Sequence, residues 1–88
     1  MVSAQVKITN PQGMHMRPAQ LFVTKMSAFP CDVTIVFKGT SINAKSIMHL
    51  MAACMKQGSE IEVQCNGEQE EAALAAAVEL IESGLGDC

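Results

Sequence analysis

The chain has 88 residues, is 49% hydrophobic and carries a formal net charge of −3, a length that accommodates one domain over residues 1–88, since a second core would need roughly another 50 residues. Its few Lys and Arg residues are scattered, leaving no electrostatic footprint for nucleic acid or an anionic membrane surface, and no run approaches the ~18 apolar residues of a membrane span. Cys31, Cys54, Cys65 and Cys88 form no Cys-x-x-Cys pair and no charged-then-apolar leader opens the chain, so a cytoplasmic protein without a zinc or other metal site is expected.

In chain order, Val2, Ala4, Val6 and Ile8 alternate with polar residues, the period of a strand with one buried face. Asn10-Pro11-Gln12-Gly13 breaks it. From Arg17 the apolar spacing becomes i, i+3, i+4, i+7 through Ala19, Phe22, Val23 and Met26, predicting a helix that ends near Ala28-Phe29-Pro30. Val33, Ile35 and Phe37 mark a second strand, and Lys38-Gly39-Thr40 turns it into a short third one at Ser41 to Asn43. Ser46 stands where an N-cap belongs, before a short helix from Ile47 to about Met55 closed by Lys56-Gln57-Gly58. Ile61, Val63 and Cys65 give a fourth strand, ended by Asn66-Gly67. A last helix runs from about Glu70 to Ser83, with Leu74, Ala77, Val78 and Ile81 on one stripe and Gly84 beyond its end.

The predicted fold class is therefore α+β, an open-faced β-sandwich in the order β-α-β-β-α-β-α. A four-stranded, mostly antiparallel sheet with three helices on one face satisfies strands that each show one apolar and one polar side. Only Phe22, Phe29 and Phe37 are aromatic, so aliphatic residues and Met fill the core.

The stretch from Pro11 to Pro18 places a nucleophile and a cation where a strand gives way to a helix. A helix start leaves backbone N–H groups without intrahelical partners and carries partial positive charge, so the amides of Met16 and Arg17 are suited to phosphate oxygens. The same field disfavours a protonated imidazole, leaving a neutral nitrogen of His15 able to attack phosphorus. Arg17 offers a guanidinium fork for phosphate, and Gly13 permits a tight turn beneath the ring. Arg17 precedes Pro18, which biases it away from the helical region, so either local strain or a displaced helix start is expected. On spacing alone, one His beside one Arg also fits an ordinary helix-start or surface residue.

Gly13-Met14-His15-Met16-Arg17-Pro18-Ala19 resembles the active-site signature of the HPr family, the histidine phosphocarriers of the phosphoenolpyruvate-dependent sugar phosphotransferase system. Ala44-Lys45-Ser46-Ile47-Met48 resembles that family's second signature, and the likeness extends over essentially the whole chain. It implies a carrier without turnover of its own, needing no cofactor: enzyme I would phosphorylate Nδ1 of His15, which then donates to sugar-specific IIA components, with Arg17 balancing the phosphate's charge. Met16 departs from the family's usual smaller residue but keeps its amide.

The second helix has an apolar arc of roughly 260° at 100° per residue, wider than a helix lying on a sheet buries. Part of it is expected to be exposed, and Met48 and Met51 suit docking to several partners; burial by the last helix or in a dimer is the alternative. The resemblance assigns Ile47, Met48, Met51 and Ala52 to the surface used by enzyme I and the IIA components. His49 reads as a solvated surface residue. Ser46 is explained by N-capping alone, while in the branch of the family that has HPr kinase/phosphorylase the matching serine is a switch whose phosphorylated form binds a catabolite-control repressor. Two alternatives stay open: a carrier of the paralogous nitrogen-related system, and a non-catalytic regulatory module acting through Ser46. A monomer is expected.

Overall fold

In a computed structural model, which describes residues 1–9, 11, 13, 14 and 16–84, the order is β1 (Val2–Lys7), α1 (Met16–Met26), β2 (Asp32–Phe37), β3 (Thr40–Asn43), α2 (Ile47–Ala52), β4 (Glu60–Asn66) and α3 (Glu70–Glu82). The strands form one sheet in the order β1-β4-β2-β3, and every neighbouring pair is antiparallel. The predicted β-α-β-β-α-β-α open-faced sandwich is the observed one.

The alternation read from the sequence sets the layers. Val6, Val33, Ile35, Ile42, Ile61, Val63 and Cys65 turn one face of the sheet into the core, where they meet Ala19, Phe22 and Met26 of α1, Leu50 of α2, and Ala73, Ala77 and Ile81 of α3. α3 covers β1 and β4, α2 lies beside β3, and α1 packs against both other helices. The opposite sheet face carries Ser3, Gln5, Lys7, Glu60 and Glu62, none of them buried. The hairpin between β2 and β3 turns on two residues in the left-handed region, Lys38 at φ 51° and Gly39 at φ 80°, as a tight twisted hairpin demands.

Several boundaries differ from the sequence expectation. α1 begins at Met16, one residue early, which puts Pro18 in the first turn, where its missing N–H costs no helical hydrogen bond. After Met26 the chain tightens, with Ala28 N–H donating to Lys25 O and Phe29 N–H to Met26 O, so the regular helix stops short of Ala28-Phe29-Pro30. α2 ends at Ala52 rather than about Met55, because Cys54 takes a left-handed φ of 54° and Met55 turns into the core. Gly58 does not cap that helix. It occupies the left-handed position, φ 87°, of a separate turn in which Ser59 N–H donates to Lys56 O. On α3 the fully buried residues are Ala73, Ala77 and Ile81, while Leu74 and Val78, expected on the core stripe, are only half-buried.

Candidate functional site

The predicted acceptor His15 lies outside the described residues; Gly13, Met14, Met16 and Arg17 lie within them. Gly13 has φ 67°, and a Cβ there would overlap the Met55 carbonyl oxygen and stand 2.7 Å from Lys56 Cα. Only glycine permits both the conformation and the approach. Met14 is buried and its N–H donates to Met55 O at 2.8 Å. The segment before α1 is thus pinned to the turn that follows α2. That turn is in turn tied to the end of β1, since Ile8 N–H donates to Ser59 O at 2.9 Å and Gly58 N–H to Ile8 O at 2.8 Å.

Beyond this anchor, Met16 and Arg17 open α1. Their amides fall in the first turn, where an α-helix supplies no upstream carbonyl for them. Both side chains are exposed, Met16 at 54%, so the bulk of Met16 faces outward and takes no space in the core. Pro18 and Ala19 are buried beneath, anchoring the first turn.

Ser46 caps α2 as expected, its Oγ accepting a hydrogen bond from His49 N–H at 3.3 Å. Lys45 secures the approach: its N–H donates to Asn43 Oδ1 and its Nζ to Phe29 O at 2.7 Å. Leu50 is the helix's buried anchor, while Met48 is 80% exposed, Ala52 is exposed, and Ile47 and Met51 are half-buried. The apolar arc is therefore narrower than the sequence suggests, since Cys54 and Met55 have left the helix, yet a Met-centred patch stays open to solvent. His49 is exposed and borders a hollow of about 500 Å³ shared with Lys38, Ser41 and Ala52.

The first motif is joined through Met14 and Met55 to the turn after α2, and α1 packs against the helix that Ser46 caps. The sequence alone does not reveal Met55 and Lys56 as the seat of Gly13; its only signal there is the glycine itself. The buried thiol of Cys65 offers no competing nucleophile. Cys65 is pushed up to about 11 by burial, with Cys31 and Glu70 adding to the effect and Lys45 opposing it, and so stays a protonated thiol at neutral pH. Among the described residues no group of three or more His, Cys, Asp or Glu is placed to hold a metal ion, and no helix is long and apolar enough to cross a membrane.

The fold is thus a four-stranded antiparallel sheet covered on one face by three helices, an open-faced sandwich with Arg17 in the first turn of α1. Residues 2–83 match the family described as the PTS HPr component phosphorylation site. The chain is 39% identical over 87 residues to the phosphocarrier protein HPr of Xylella fastidiosa (strain Temecula1), covering 99% of this chain and 98% of that one. It is also 39% identical to the phosphocarrier protein NPr of Escherichia coli (strain K12), covering 98% and 97%. The solved structure of HPr from Thermoanaerobacter tengcongensis superposes with a TM-score of 0.95 at 38% identity, covering 100% of this chain and 99% of that one. The chain belongs to the HPr family, the phosphocarriers of the phosphotransferase system.

Proposed function

We propose that the chain takes a phosphoryl group from enzyme I on Nδ1 of His15 and passes it to sugar-specific IIA components. The observation that carries this reading is the pinning of Gly13 and Met14 to Met55 directly ahead of an α1 start that offers the amides of Met16 and Arg17. In the first transfer a bond forms between the His15 nitrogen and phosphorus as the bond from phosphorus to the donor on enzyme I breaks. The phosphoryl oxygens keep their charge, which the helix-start amides and the Arg17 guanidinium balance. An unprotonated nitrogen of the imidazole supplies the lone pair for this attack. The second transfer reverses these roles, with a IIA component as acceptor.

Docking of these partners falls to Ile47, Met48, Met51 and Ala52. Phosphorylation of Ser46 by HPr kinase/phosphorylase would add about −2 charge at the start of α2, beside that patch, repelling phosphotransfer partners and creating the form a catabolite-control repressor binds. The serine's oxygen already faces the helix-start amide of His49, so the added phosphate is accommodated there without unfolding the helix.

The equal identity to HPr and NPr relatives supports a second reading, carriage in the nitrogen-related system. The deciding experiment incubates the protein with phosphoenolpyruvate and enzyme I of each system. An acid-labile, base-stable phosphate that forms much faster with the sugar-system enzyme and is absent from His15→Ala is the expected result. Faster labelling by the other enzyme I moves the protein to the nitrogen-related system. Absence of label with both leaves the regulatory role of Ser46, and label surviving in His15→Ala overturns His15 as acceptor.

A further inference from the structure

The charges of this chain are segregated along its length. Every Lys and Arg precedes residue 57, and every Asp and Glu except Asp32 lies at or after Glu60. In the fold this gathers acid on β4 and α3, away from the surface formed by α1 and α2.

β1 is an edge strand, paired to β4 on one side only. Its helix-facing residues Val2 and Ala4 are only half-buried, because the sheet has no further strand beneath the outer flank of α3. That flank overhangs the edge as a trough of about 680 Å³, floored by Val2, Leu74, Ala75 and Val78 and rimmed by Glu71, Glu79 and Glu82. Among the described residues none of the three rim glutamates has an ion-pair partner; the neighbouring Glu70 is engaged by the N-terminal ammonium at 3.2 Å. The half-exposure of Leu74 and Val78, which departs from the sequence expectation, belongs to the same trough.

An edge strand presents unpaired N–H and C=O groups in register, and a segment added there would point alternate side chains under α3. We propose that the β1 edge and the α3 overhang form a second docking site, which takes an extended segment of a partner protein that alternates apolar with basic residues. Its backbone extends the sheet beyond β1, its apolar side chains fill the trough between Val2 and Val78, and its Lys or Arg residues meet Glu71, Glu79 and Glu82. Charge selects this occupant over a second copy of the chain. Two-fold pairing of β1 with β1 would bring two identical acidic rims together, a like-charge contact that costs rather than stabilises.

The test uses the full chain and a short synthetic peptide alternating valine with lysine. Two control peptides accompany it, one with glutamate in place of lysine and one with every second backbone amide methylated, which keeps the charge but removes strand pairing. Binding of the first peptide alone should shift the backbone amide resonances of β1 together with Leu74, Ala75 and Val78, and slow the hydrogen exchange of the outward amides of β1. Glu79→Lys/Glu82→Lys should weaken that binding at least about tenfold while leaving phosphorylation of His15 by enzyme I at its normal rate, so failure of this proposal is separable from failure of the carrier reading. Equal binding of the methylated peptide, or shifts confined to α1 and α2, would overturn the proposal. So would outward β1 amides already protected without peptide: protection that grows with protein concentration assigns the edge to a second copy, and protection that does not assigns it to residues 85–88.

Discussion

Gly13 is the residue on which the candidate site depends most directly. Its φ of 67° and its contact with the Met55 carbonyl and Lys56 Cα leave no room for a side chain at any rotamer, since the first atom of the side chain is the one that collides. Gly13→Ala is therefore expected to cost about 1–3 kcal/mol of stability, read from the urea midpoint. It should slow phosphorylation of His15 by more than that loss of folded protein explains, because the Met14–Met55 hydrogen bond that pins the segment would be broken. Unchanged transfer at reduced stability would show that the pin serves folding alone. The thiols separate by the same criterion of surroundings. In a Cys88→Ser background, Cys54 should react with a disulfide reagent in the native protein, whereas Cys31 and Cys65, both buried, should react only on unfolding.

At the scale of elements, α2 is a six-residue helix, too short to persist without tertiary support. Leu50 inserts one anchor into the core, Ser46 satisfies the helix start, and Ala53 N–H donates to His49 O as the helix closes. Because so little else holds it, the cap matters: Ser46→Ala should destabilise the protein by about 1 kcal/mol, measured by thermal or urea unfolding. Ser46→Asp keeps an acceptor at the cap and adds a favourable charge at the helix start, so its stability should match the parent while its transfer from enzyme I slows. Slow transfer in Ser46→Asp with normal transfer in Ser46→Ala would separate a charge effect on partners from a loss of helix. Equal rates in all three proteins would argue against Ser46 as a switch.

At the scale of the whole molecule, Glu70 ties the N-terminus to the start of α3. Its carboxylate accepts a hydrogen bond from Gly67 N–H at 3.0 Å and pairs with the N-terminal ammonium ahead of β1 at 3.2 Å. The Gly67 hydrogen bond first, and the ammonium second, hold its pKa below the usual carboxylate value. A carboxylate depressed in the folded state binds its proton more readily when unfolded, so the stability it contributes is complete above the ordinary carboxylate pKa and is lost as pH falls through the lower native value. Glu70→Gln should accordingly lower the urea midpoint at neutral pH, with the difference from the parent shrinking toward zero in acid. A difference independent of pH would mean that the side chain's shape rather than its charge is what matters. The segregation of basic residues before position 57 from acidic residues that, Asp32 apart, begin at Glu60 gives the molecule a field as well as a fold, and separates the surface proposed for phosphotransfer from the one proposed at the β1 edge.

Much of the architecture is legible in the amino-acid sequence. Period-two and period-three-to-four alternation identifies β1, β2, β4, α1 and α3, because each has one buried face, while β3 and α2 are read from the Lys38-Gly39-Thr40 turn and the Ser46 cap. The Gly13 to Ala19 motif and Ser46 are legible because their chemistry is local: a helix start creates its own donors, and a cap serves its own helix. Contacts between distant segments are not legible. Nothing near Cys54 in sequence signals that α2 must stop there, because the reason is the docking of Gly13, some forty residues earlier, against the Met55 carbonyl. Leu74 and Val78 have the spacing of core residues, and only the strand order β1-β4-β2-β3, which leaves β1 at an edge, decides that they overhang it. Sequence determines which faces are apolar and where helices begin; tertiary structure decides which apolar faces find a partner, because burial depends on what the rest of the chain places opposite them.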